Sequence, residues 1–156
     1  MYKRVLVPLD GSPLAEAIVP FLTEIAGPLD MSIVLLRVLE PIPAAVAEGA
    51  RHTFIDVSET RRQDAMTYLA SVASSLQARG IRTTLEVRSG RPDREVVEAA
   101  RDLKADLIAM STHGRSGVGR LLFGSVAEQV LRHADVPLFI MRQTSAQAAA
   151  MAATAC

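Results

Sequence analysis

Residues 111–125, STHGRSGVGRLLFGS, gather four glycines, two arginines and a histidine into fifteen positions. The spacing suits anion chemistry. A phosphate needs several donors converging on its oxygens at about 3 Å, and backbone N–H groups provide them where side chains do not obstruct. Gly114, Gly117 and Gly119 allow the left-handed turns that make such a nest. Gly124 and Ser125 then open a run of helical spacing, VAEQVLRHA. The first N–H groups of a helix are unpaired and its dipole favours negative charge. The Ser125 hydroxyl is one more donor. The alternative is a plain loop joining two elements. The pattern is neither GxxxxGK[ST] nor a GxGxxG placed after the first strand.

Other residues with chemical potential are few. Asp10, in VLVPLDGS, can accept hydrogen bonds from two neighbouring hydroxyls, or can serve as a turn and capping residue. His113 has Ser111 and Ser116 near it, but a nucleophile needs an oriented base and that base an orienting partner. No such spacing is present, so His113 is read as a loop residue. His52 and His133 have no Cys or His partner at metal-ligand spacing, so no metal site is expected.

These residues must be held by a framework, and the pattern supplies one. KRVLVPL (3–9) reads as a first strand. Ser12 and Pro13 form an N-cap and first-turn pair, followed by Leu14, Ile18, Phe21, Leu22 and Ile25 at helical spacing. Pro20 should bend that helix or break its hydrogen bonds, and Gly27-Pro28 should end it. MSIVLLRVL (31–39), apolar nearly throughout, suits a parallel strand covered on both faces. Residues 40–57 read as a long loop with room for a short helix, and Ser58 as the cap of a helix reaching Arg79, with Ala65, Leu69, Val72 and Leu76 on one face and Gly80 after its end. IRTTLEV (81–87) alternates like a strand nearer a sheet edge. Pro92 starts a helix with Val96, Val97, Ala100 and Leu103, and DLIAM (106–110) is the fourth strand. Ser125 opens the last helix, with Val126, Val130 and Leu131, and VPLFIMR (136–142) is the fifth strand. Residues 143–156 are Ala-rich and read as a disordered tail.

Strands separated by helices imply a mostly parallel sheet with helices on both faces. Ligands of such sheets sit beyond the strand C-termini, at a topological switch. Three segments reach that rim: LDGS, RVLEP and the glycine-rich stretch.

Composition bounds the function. With 156 residues, 49% hydrophobic and 22% charged, the chain is expected to form one globular domain. Formal net charge is zero, which argues against a broad nucleic-acid surface. Cys156 is the only cysteine, so no internal disulfide can form. The N-terminus runs straight into the first strand without the zones of a signal peptide, and no apolar run approaches the roughly 20 residues of a membrane span. A cytoplasmic protein with no membrane partner is the expectation.

The placement of VLVPLDGS, LLRV, STHGRSG, LLFGSVAEQVL and DVPLFIMR resembles the universal stress protein family over about residues 2–142, the expected single domain being 1–142. The expected fold is a Rossmann-like, open, parallel five-stranded sheet in the order 3-2-1-4-5. The family's nucleotide-binding branch carries G-x2-G-x9-G-[ST] after the fourth strand. Here Gly114, Gly124 and Ser125 match, while Ser111 replaces the first glycine. The resemblance implies an ATP site, with Mg²⁺ accompanying the phosphates. It places Asp10 at the ribose hydroxyls, the Val38 main chain at the adenine edge, and Pro8 and Leu9 around the base, with Met110 a further nucleotide-binding residue. Gly114, Arg115, Ser116, Gly124, Ser125 and Val126 correspond to the phosphate-facing region. Arg115 and Arg120 could screen phosphate charge.

No residue stands out as a base to activate water, so a nucleotide-binding stress-response or regulatory module is expected rather than an enzyme. Two alternatives are a family member acting through protein contacts alone, and a slow nucleotide hydrolase. The fifth strand should lie at a sheet edge, and the family resemblance also implies a homodimer through 136–142.

Overall fold

A computed structural model of the chain describes residues 2–42, 51–113 and 124–143. Five strands, β1 (Arg4–Pro8), β2 (Ser32–Leu39), β3 (Thr83–Ser89), β4 (Leu107–His113) and β5 (Leu138–Gln143), form one sheet in the order β3-β2-β1-β4-β5. Every pairing is parallel. The helices are α1 (Pro13–Glu16), α2 (Ile18–Ala26), α3 (Arg51–Gln77), α4 (Pro92–Asp102) and α5 (Ser125–His133). No helix of the described residues is long and apolar enough to cross a membrane.

Alternation along the strands builds two cores. Val5, Val7, Ile33 and Leu35 face α2 and α3 with Leu22, Leu69 and Leu76. Leu6, Leu36 and Ile108 face α4 and α5 with Val96, Val97 and Val130. β1 is buried on both faces, with Val5, Leu6 and Val7 fully enclosed, as a central parallel strand requires.

Local signals set the joints. Ser12 Oγ accepts the N–H of Ala15 at 3.1 Å and caps α1, with Pro13 in its first turn. Pro20 has no N–H to give the carbonyl of Glu16, and the helix breaks at Ala17 into α1 and α2. Gly27 caps α2. Gly80, at φ +77°, follows α3.

Several boundaries correct the sequence reading. Ser58 does not cap α3, because the helix already runs from Arg51 and Ser58 lies within it. Residues 51–57 are therefore helical rather than loop. Val57, Ser58, Glu59 and Thr60 are exposed, so nothing imposes an apolar period on that turn. β4 continues three residues past the apolar run, to His113, because β5 goes on pairing with it through Ser111–Met141, Thr112–Arg142 and His113–Gln143. β3 and β5 each start two residues later than read. Residues 144–156 lie outside the described residues.

β1 marks the switch in topology. It leads to α1 over one face, whereas β4 leads to α5 on the other. β1 pairs with β4 at Val5–Leu107 and Leu6–Ile108, while β4 stays paired with β5 as far as His113. Beyond Leu6 the two strands part and leave a gap at the C-terminal rim.

Candidate functional site

A cleft of about 330 Å³ occupies that rim, within the range of roughly 300–1,000 Å³ usual for small-molecule sites. Pro8, Leu9 and Asp10 enter it from β1, Val38 from β2, Met110 from β4, and Gly124, Ser125 and Val126 from the start of α5. Eight sequence-marked residues are thus brought to one cleft. The other three, Gly114, Arg115 and Ser116, lie outside the described residues, as do Gly117, Gly119 and Arg120.

The cleft has chemically distinct parts. Leu36, Val96 and Met110 give it an apolar floor, all three buried. Leu36 and Val38 share one face of β2 with Glu40 just beyond, and Pro92 at the start of α4 closes that side. Flat apolar ligands are bound by walls of this kind through burial alone, worth about 25 cal/mol per Å².

Asp10 stands at the mouth. Its Oδ1 accepts the N–H of Ser12 at 2.8 Å, which folds the chain into the start of α1. Gly11 between them takes φ +86°, a left-handed conformation open to glycine at little cost. Burial pushes the Asp10 carboxyl upward, but hydrogen bonds from Ser12 and the charge of Arg37 outweigh it and hold it below the ordinary carboxylate range. At neutral pH it is an anion and acceptor. A carboxylate offers about four acceptor sites, so the Ser12 contacts leave room for ligand hydroxyls.

Arg37 supports this turn from behind the sheet. Its guanidinium donates to the Leu9 carbonyl at 3.4 Å and lies 5.9 Å from the centre of the Tyr68 ring. Tyr68 in turn donates to Glu16 Oε1 at 2.8 Å, which ties α3 to the end of α1. Burial, with the Glu16 hydrogen bond and charge, pushes the Tyr68 phenol well above its ordinary range.

The opposite wall is the start of α5. Gly124 is its N-cap, and no side chain caps the helix. The Gly124 N–H donates to Thr112 Oγ1 at 3.4 Å, and its carbonyl accepts from Glu128 at 3.0 Å. The first-turn N–H groups of Ser125, Val126 and Ala127 therefore face the cleft without intrahelical partners, and the helix dipole adds partial positive charge there. Such an end favours negative charge. Among the described residues, the lining carries two carboxylates, Asp10 and Glu40, and no cationic side chain.

Sequence reasoning missed Ser12, Leu14 and Ala15 of the α1 turn, Glu40, and Ser111 and Thr112 of β4. Alternation from Val38 points to Glu40, but Pro92 and Val96 enter only through the packing of α4 on the sheet. No three His, Cys, Asp or Glu side chains gather at metal-binding distance among the described residues.

Comparison with known proteins gives a consistent match. The sequence profile described as "Universal stress protein family" matches residues 1–142. Universal stress protein MJ0531 of Methanocaldococcus jannaschii is 31% identical over 145 residues, 92% of this chain and 84% of that protein. A universal stress protein solved in complex with cAMP is 25% identical, with a TM-score of 0.64 over 90% of this chain and 96% of that one. An Arabidopsis thaliana family protein solved with AMP bound has the same fold, with a TM-score of 0.68 at 16% identity over 93% of this chain and 94% of that one.

Proposed function

The chain belongs to the universal stress protein family, and from that premise we propose that the rim cleft binds an adenine nucleotide and that the protein works as a nucleotide-responsive regulatory module. One observation carries this reading: the cleft joins an apolar floor and an acceptor carboxylate to the uncapped start of α5. Those surfaces complement a base, a ribose and a phosphate in that order. The cAMP and AMP held by the two solved relatives share this adenosine-plus-phosphate core.

In this reading the base lies on Leu36, Val38 and Met110, with the Val38 main chain at its edge. Asp10 accepts from the ribose hydroxyls. The phosphate rests on the N–H groups of Ser125 and Val126 and on the Ser125 hydroxyl. ATP is the physiological ligand we propose. Its outer phosphates extend toward Gly114, Arg115 and Ser116, and Mg²⁺ offsets charge that the described lining does not neutralise. The site binds and orients, and no group is assigned to activating water.

A second copy of the chain is the proposed partner. β5 is an edge strand whose Leu138, Phe139, Ile140 and Met141 remain partly exposed. Antiparallel pairing of two such edges would continue the sheet from one copy to the next and cover these side chains.

Native mass spectrometry of gently purified protein tests the nucleotide reading. We expect one adenine nucleotide per subunit, retained or restored on adding ATP. A folded protein that takes up none at millimolar ATP contradicts it.

A further inference from the structure

We propose that Ser111, the residue standing where the family's pattern has glycine, is a ligand contact: its hydroxyl donates to the phosphate attached to the ribose. The inference rests on the nucleotide reading above and adds a residue to it. Among the described residues, Ser111 Oγ is the buried side-chain N or O atom with no hydrogen-bond partner. A buried hydroxyl left unpaired has given up its hydrogen bonds to water for nothing in return, so an orphan of this kind calls for a reason.

Its position supplies one. Ser111 lines the cleft. On one flank β4 is held by β5 through the Ser111–Met141 pair. On the other flank β1 has already left, its pairing with β4 given at Val5–Leu107 and Leu6–Ile108. Ser111 therefore borders the gap between the parted strands, with Leu9 and Asp10 across it and Gly124 and Ser125 beside it. That is where a ribose held by Asp10 joins a phosphate held by α5. A serine side chain moves between three staggered wells about χ1. Turning from its enclosed position toward the gap gives the hydroxyl an anionic acceptor and ends its isolation. Glycine at this position has no such donor, so the exchange for serine adds a contact.

The experiment combines binding and stability in Ser111→Ala, with Ser111→Gly as a second variant. AMP and adenosine are titrated calorimetrically into each protein, and ligand-free melting is recorded. Ser111→Ala should bind AMP about ten-fold more weakly, as expected for a hydrogen bond to a charged group, and adenosine within about two-fold of wild type. Its ligand-free melting temperature should rise by about 2–4 °C, because the unpaired hydroxyl is gone. Ser111→Gly should lose AMP affinity in the same way. If wild type binds AMP and Ser111→Ala binds it equally well, the assignment of Ser111 is overturned while the nucleotide reading stands. Equal losses for AMP and adenosine would also overturn it, since they indicate general disturbance of the cleft. If wild type binds neither, both the reading and the assignment fall.

Discussion

Asp10 Oδ1 accepts the backbone N–H of Ser12 at 2.8 Å, and this one hydrogen bond couples a cleft-lining carboxylate to the start of a helix. The carboxyl is held below its ordinary value of 3.8. A depressed folded-state pKa gives stability that is present above the unfolded value and is lost as pH falls through the folded one. Asp10→Asn should therefore flatten the acid limb of the stability curve below about pH 4, read by urea denaturation at stepped pH. It should also weaken adenine-nucleotide binding by about 1–2 kcal/mol and reduce discrimination against the 2′-deoxy analogue. Unchanged affinity and unchanged sugar preference would remove Asp10 from the ribose role.

Ser12 and Gly11 make the turn possible, and they fail differently. Ser12→Ala removes the cap on Ala15 and should cost about 1 kcal/mol. Gly11→Ala forces a Cβ into φ +86°, at a cost of about 1–3 kcal/mol. The added Cβ would stand 3.6 Å from Arg37 Nη1, an ordinary contact, so conformation rather than collision sets the loss. Chemical denaturation of both variants reads these values. A neutral Gly11→Ala would show that the turn does not need the left-handed conformation.

Tyr68 donates to Glu16 across the interface of α3 and α1. Its raised pKa means that folding favours the neutral phenol, so the stability it gives is complete below about pH 10 and falls as pH rises further. The difference in phenolate absorbance between wild type and Tyr68→Phe should stay flat through pH 11 in the folded protein. Tyr68→Phe should cost about 0.5–1.5 kcal/mol. An ordinary titration near pH 10 would show that the burial of the phenol and its Glu16 hydrogen bond do not hold in solution.

The edge strand gives a prediction about assembly. Phe139 stacks on Phe21 with ring centres 4.8 Å apart, yet both remain partly exposed. Phe139→Glu with Ile140→Lys should convert a dimer to a monomer or fold poorly, whereas deleting residues 144–156 should leave the dimer intact. Sedimentation velocity decides. A wild-type monomer at tens of micromolar contradicts the homodimer.

Much of this was legible in the sequence where one force dominates. The apolar runs of β1 and β2 mark strands covered on both faces, and Leu6 and Leu36 on one face and Val5 and Leu35 on the other are fully buried. Ser12-Pro13, Pro20 and Gly80 announce joints through backbone chemistry that needs no tertiary context. The start of α3 was hidden because its exposed turn at Val57, Ser58, Glu59 and Thr60 carries no packing pattern. The last residues of β4 were hidden because Ser111 and Thr112 are polar, and only pairing with β5 makes them strand. In the site, Gly124 could be marked from motif spacing, and Asp10 and Val38 from the family resemblance. Pro92, Val96 and the orphaned Ser111 hydroxyl required the sheet order and the gap that it opens.

The central claim is that the β1–β4 rim holds an adenine nucleotide with its phosphate on α5. The most direct test is a titration of isotope-labelled protein with AMP and then ATP, followed by amide resonances. The account predicts saturable one-to-one shifts at micromolar to millimolar ligand, largest at Gly124, Ser125 and Val126, with Val38 moving in step. Adenosine should move Val38 and leave the three α5 amides nearly still. A folded protein whose amides at these four positions do not move at millimolar nucleotide would contradict the account.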